Sequence, residues 1–108
     1  MNISQARTEL LRAMTATMWL CGQLRGSEIR VLHALTIDGL SMGKLRAKIS
    51  YTRIAKIAGV ARPVASKAMT RLVELGFVMD DEGAWRLDVD LMQERASVIR
   101  EELFPRAA

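Results

Sequence analysis

The 108-residue chain has little cysteine, histidine, proline or aromatic content: one Cys, one His, two Pro and 5% aromatic residues. The single Cys21 excludes an internal disulfide. With a single His33, it leaves too few soft ligands for a four-ligand zinc site. No stretch approaches the roughly eighteen apolar residues of a membrane span, and no basic region followed by an apolar run and a cleavage site opens the sequence. The sequence thus predicts an intracellular, cytoplasmic protein with neither export signal nor membrane segment. It also has no glycine-rich phosphate loop, no histidine-rich metal motif and no nucleophile near a base, which predicts no enzyme, no metal and no cofactor.

What is present is a basic middle. From Ser41 to Gly76, eight cations (Lys44, Arg46, Lys48, Arg53, Lys56, Arg62, Lys67 and Arg71) face one carboxylate, Glu74, a surplus of seven. Because the whole chain carries +4, the remainder carries a net −3. A basic patch between acidic flanks suits a polyanion, which it attracts and holds by counterion release. An apolar content of 50% is enough for one modest core, so residues 1–108 read as a single domain.

Apolar periodicity divides the chain. From Ile3 to about Leu24, residues Ile3, Ala6, Leu10, Met14, Met18 and Cys21 recur at helical spacing, which predicts a long amphipathic helix with Cys21 on its apolar face. Ser27 is the predicted cap of a helix from Glu28 to Ile37 that stops at Gly39, with His33 partly buried beside its apolar face. Lys44–Ile49 alternates charge with apolarity, as a short strand or an ordered basic loop would. Ser50 caps Tyr51–Ala58, Gly59 ends that helix, and Pro63 stands in the first turn of the next. After Gly76, strands at 77–79 and 84–89 flank an acidic loop of Asp80, Asp81, Glu82 and Gly83. Asp90 is the predicted cap of a last helix, Leu91 to Leu103, with Met92, Ala96, Ile99 and Leu103 in one stripe. The seven methionines mostly fall on such stripes and read as core or interface filler.

The string SYTRIAKIAGVARPVASKAMTRLVELGFV, Ser50 to Val78, resembles the helix-turn-helix of winged-helix DNA-binding proteins. Its polar cap, Ile-Ala pair, Gly-Val turn, Arg-Pro helix start and Leu-x-x-x-Gly-Phe-Val ending all match. With a long helix at each end, the order resembles MarR-like and ArsR-like bacterial regulators, and ISYTRIAKIAGV is also similar to winged helices of phage and plasmid replication proteins. The resemblance implies a mainly α fold with a small β-hairpin wing, an α+β winged helix-turn-helix. Its core would span 27–89, with possible dimerisation helices at 1–25 and 90–104. The wing departs from the family, since its acidic tip repels phosphates and only Arg86 is placed to help.

In the second helix of the motif, Ala65, Ala68, Met69 and Leu72 form an inward stripe that leaves a basic, hydrogen-bonding face outward. Arg62, Val64, Ser66, Lys67 and Thr70 are the candidates for base-edge contacts in a major groove. Lys44, Arg46, Lys48, Arg53, Lys56, Arg71 and Arg86 are the candidates for phosphates. Val73, outward where such proteins commonly carry Glu, is expected to pack on the last helix. Leu10, Met14, Met18, Met92, Ile99 and Leu103 are the candidate homodimer contacts. Three roles follow: a dimeric transcription regulator, most simply a repressor; a DNA-binding accessory of phage or plasmid replication; or a winged helix that binds protein. The sequence names no residue set for a small-molecule effector.

Overall fold

The apolar stripes fold into five helices, and the segments between them supply three short strands. The computed structural model describes residues 2–105, so Met1 and residues 106–108 of the expected single unit lie outside the described residues. In chain order the elements are α1 (Ile3–Leu20), α2 (Gly26–Met42), β1 (Arg46–Ala47), α3 (Tyr51–Ala58), α4 (Arg62–Glu74), β2 (Val78–Asp81), β3 (Ala84–Leu87) and α5 (Val89–Leu103). The result is a mainly helical α+β architecture with an antiparallel sheet ordered β1-β3-β2. No helix among the described residues is long and apolar enough to cross a membrane.

Helix α2 is the hub, in contact with α1, α3, α4 and β1, while α5 lies along α1. One buried cluster runs through these contacts, with Leu10, Leu20, Leu32, Ile54, Met69, Leu72, Val78 and Met92 essentially sealed from solvent. Each side chain of this size contributes about 1.5–3 kcal/mol when fully buried. Buried Thr17 and Thr36 donate to Ala13 O and Leu32 O, both at 2.8 Å, so neither hydroxyl goes unsatisfied. Gln93 Nε2 of α5 donates to Arg12 O of α1 at 2.7 Å and adds a polar tie to that seam.

Several boundaries differ from expectation, each for a local reason. Helix α1 ends at Leu20, and exposed Cys21 is its C-cap rather than part of its apolar face. Helix α2 starts at Gly26 instead of Glu28, because buried Glu28 accepts from the Arg25 amide at 2.9 Å and closes the first turn ahead of Ser27. It also runs past Gly39 to Met42. Gly39 is buried inside the helix, where an added Cβ would stand 2.7 Å from Lys44 O and 2.9 Å from Leu10 Cδ2. The stop is Gly43, at φ +66, with the Lys44 amide donating back to Gly39 O at 3.0 Å. Asp88 rather than Asp90 caps α5, its Oδ1 accepting from Leu91 N at 3.0 Å, since β3 already ends at Leu87.

The basic segment 44–49 contributes strand β1, shorter than expected but with the expected facing: Lys44, Arg46 and Lys48 are exposed and Ile49 is buried. The hairpin is tighter than its four-residue acidic loop suggested. Strand β2 continues through Asp81, and Glu82 and Gly83, at φ +53 and +82, form the two-residue turn that suits the right-handed strand twist. Two aromatic pairs join separate elements. Tyr51 of α3 stacks on Trp85 of β3 at 6.0 Å, and Trp19 of α1 meets Phe104 edge to face at 5.7 Å.

Ala61 occupies the N-cap of α4 in extended conformation and offers no side-chain acceptor to the helix amides. Replacing it with serine is expected to stabilise the fold by about 0.5–2 kcal/mol. Thermal unfolding of Ala61→Ser checks this, and an unchanged or lower Tm would mean that the cap amides are already satisfied by water.

Candidate nucleic-acid interface

Local chemistry sets the geometry of α3 and α4. Ser50 Oγ accepts from Arg53 N at 3.1 Å and starts α3. Gly59, at φ +70, ends it, with the Val60 amide donating to Ala55 O at 3.1 Å. Only Gly59, Val60 and Ala61 separate the helices, and Pro63 sits in the first turn of α4, where a missing N–H is harmless. The predicted inward stripe of Ala65, Ala68, Met69 and Leu72 is the buried face of α4.

Of the base-edge candidates, Arg62, Val64, Lys67 and Thr70 are exposed and Ser66 is half-buried. Thr70 Oγ1 donates to Ser66 O at 3.1 Å, which spends its hydrogen within the helix and leaves the hydroxyl as an acceptor toward solvent. Glu74 shares the outer surface with Arg71, 3.7 Å from it. Val73 is exposed rather than packed on the last helix as expected.

The phosphate candidates divide into free and engaged cations. Lys44, Lys48, Lys56 and Arg86 are exposed and make no ion pair among the described residues, as is also true of Arg62 and Lys67. Arg46 is committed: Nε donates to Asp81 Oδ2 and Nη2 to Asp81 O, both at 2.9 Å. Arg46 faces Arg86 across the β1–β3 ladder, and Asp81 offsets that like-charge contact. Arg53 donates from Nε to Asp38 Oδ1 at 3.1 Å.

Two clefts border this surface. One, of about 420 Å³, is lined by Gln23, Arg25, Ser27, Val64, Lys67 and Arg71 among others and brings the start of α2 beside α4. Arg25 was missed in the sequence because no local pattern links it to α4. The second, of about 450 Å³, lies where the end of α2, β1 and the start of α3 meet, with Lys44, Arg46, Lys48, Arg53 and Asp38 in its lining.

The candidate dimer contacts separate into two groups. Leu10, against Gly39 of α2, and Met92 and Ile99 of α5, which lies along α1, are buried, so they belong to the chain's own core and are unavailable to a partner. Met14, Met18 and Leu103 remain exposed, together with Leu11, Val98 and Phe104. The exposed residues Leu11, Met14 and Met18 of α1, with its C-cap Cys21, alternate steps of three and four, the spacing of a seam between paired helices. Comparison of the chain with family models, with curated proteins and with solved structures finds no match.

Proposed function

We propose that this chain is a winged-helix protein that binds double-stranded DNA sequence-specifically as a homodimeric transcription regulator, acting as a repressor, with α4 in the major groove. The observation that carries the reading is the outer face of α4: Arg62, Lys67 and Thr70 stand exposed on a helix whose other face is wholly committed to the core. Lys67 and Arg62 are donors able to reach guanine O6 and N7. Thr70, its hydrogen already used, suits an amino group of adenine or cytosine. Arg71, Lys56 and Lys48 serve phosphates, and Arg46 serves the hairpin instead. The hairpin tip, acidic at Glu82 and Asp80, stays off the DNA backbone. The dimer forms along the exposed stripe of α1, with Leu103 contributing, and sets two α4 helices about 34–36 Å apart for a pseudo-palindromic site.

Affinity for mixed-sequence duplex across a salt series tests the reading. Each phosphate contact contributes about −0.9 to the slope of log K against log salt, so Arg71→Ala should flatten the slope by about that amount. Lys67→Ala should instead lose discrimination worth about 1–3 kcal/mol at one base pair of a selected site. Absence of binding at low salt would sink the DNA reading. Exposed Val64 and Val73 on α4 would then favour a protein-binding role.

A further inference from the structure

Asp38 is one of two buried carboxylates on α2, with 8% of its side chain exposed; the other, Glu28, is taken up by the Arg25 amide. A carboxylate withdrawn from water is costly unless it is paired, and the partner of Asp38, Arg53, is 63% exposed. The manner of pairing is informative. A guanidinium presents five N–H groups in one plane, and Arg53 gives only Nε to Asp38. Its terminal Nη groups make no hydrogen bond with the described residues. The carboxylate holds the guanidinium from one side, so that the two-pronged end is oriented and unspent.

That guanidinium shares its cleft with Lys44 and Lys48, neither of them paired, and with Arg46, which is already bonded to Asp81. A cleft of about 450 Å³ lined by four cations and one carboxylate retains a positive excess even after both ion pairs form. A tetrahedral phosphate, which offers two terminal oxygens and one charge as a diester and three oxygens and more than one charge as a monoester, suits an oriented guanidinium fork flanked by two ammonium groups.

We infer that the cleft between the end of α2, β1 and α3 holds a phosphate group, with Arg53 as its two-pronged ligand, Lys44 and Lys48 as flanking charges, and Asp38 as the positioning residue. The phosphate belongs either to a DNA backbone or to a free phosphorylated small molecule. Only the first source rests on the DNA-binding reading of α4.

The sign of one effect separates positioning from bulk charge. Removing a carboxylate from a surface that faces a polyanion strengthens binding when charge alone acts. If Asp38 positions Arg53, Asp38→Ala weakens duplex binding by about threefold or more, through loss of the charge-assisted bond that orients the fork. Arg53→Lys keeps the charge but not the fork. It should weaken binding about tenfold, as much as Arg53→Gln and equally for unrelated duplex sequences. Combining Asp38→Ala with Arg53→Lys should add nothing to the Arg53→Lys loss, because both act through one guanidinium. Tighter binding by Asp38→Ala, or wild-type binding by Arg53→Lys, overturns the inference. Arg53→Lys alters an exposed side chain and keeps the test sound if Asp38→Ala fails to fold.

A pyrophosphate titration of the intact protein, followed by the backbone amide signals of residues 44–53, separates the sources. Saturable shifts that Arg53→Lys abolishes, without duplex binding, would support the phosphate site for a free ligand while the DNA reading fell. Duplex binding indifferent to Asp38 and Arg53, with no pyrophosphate response, would overturn the phosphate site while the DNA reading stood. Binding of neither probe would overturn both.

Discussion

Truncation of Leu10 to alanine is expected to destabilise the protein by about 2–5 kcal/mol, at every protein concentration. Leu10 is 0% exposed, and its methyl groups occupy the space that Gly39 leaves open on α2. The truncation therefore opens a cavity inside the chain's own core. Met18 is the counterpart on the same helix. At 72% exposed, it should tolerate Met18→Glu with a change in monomer stability of about 0.5 kcal/mol or less. The same charge placed in a paired seam along α1 would split a homodimer. Thermal melts at two concentrations, with mass by light scattering, separate the residues. Leu10→Ala should lower Tm, and Met18→Glu should halve the mass of a dimeric wild type. A monomeric wild type at micromolar concentration would remove the dimer from the proposed function, and a Leu10→Ala protein as stable as wild type would contradict the packing of α1 on α2.

Substitution of Gly39 by alanine is the second large effect. A helix interior ordinarily gains about 1 kcal/mol from this change. Here the new methyl would lie 2.7 Å from a backbone oxygen, that of Lys44, as well as against Leu10. A side chain can rotate away, but the Lys44 carbonyl cannot move without displacing the turn that Gly43 makes. Overpacking of this kind costs about 1–3 kcal/mol and exceeds the propensity gain, so a net loss is expected. Gly26→Ala is the control, since its added methyl meets nothing within 4 Å. It should be neutral or mildly stabilising in urea unfolding, whereas a gain at Gly39 would place α1 farther from α2 than described.

The two substitutions also mark how far the sequence could be read. Helices α3 and α4 were legible because their signals act within one turn: the Ser50 hydroxyl on Arg53 N, Gly59 in left-handed conformation, Pro63 in the first turn, and the stripe from Ala65 to Leu72. Gly39 was misread because a glycine serves equally as a helix stop and as a place of close approach, and the choice depends on Leu10, on another helix. Asp88 and Asp90 are equivalent as local caps until the end of β3 selects between them. The stripe of α5 announces a buried face without saying what buries it, so Met92 and Ile99 were assigned to a second chain rather than to α1. In the candidate site, the exposed cations were visible as composition. The engagement of Arg46 by Asp81 and of Arg53 by Asp38 joins residues far apart in sequence, and periodicity carries no trace of it.

The two aromatic pairs make the protein its own two-channel reporter. Trp19 and Trp85 are its only tryptophans, one beside Phe104 where α1 and α5 run together and the other stacked on Tyr51 beside the sheet. With either indole replaced by phenylalanine, the emission of the other follows its own aromatic pair alone. Coincident unfolding curves from the two channels would mark one cooperative unit. Separated curves would assign the terminal helices and the sheet to different foldons, so that α1 and α5 could open while α3 and α4 kept their shape.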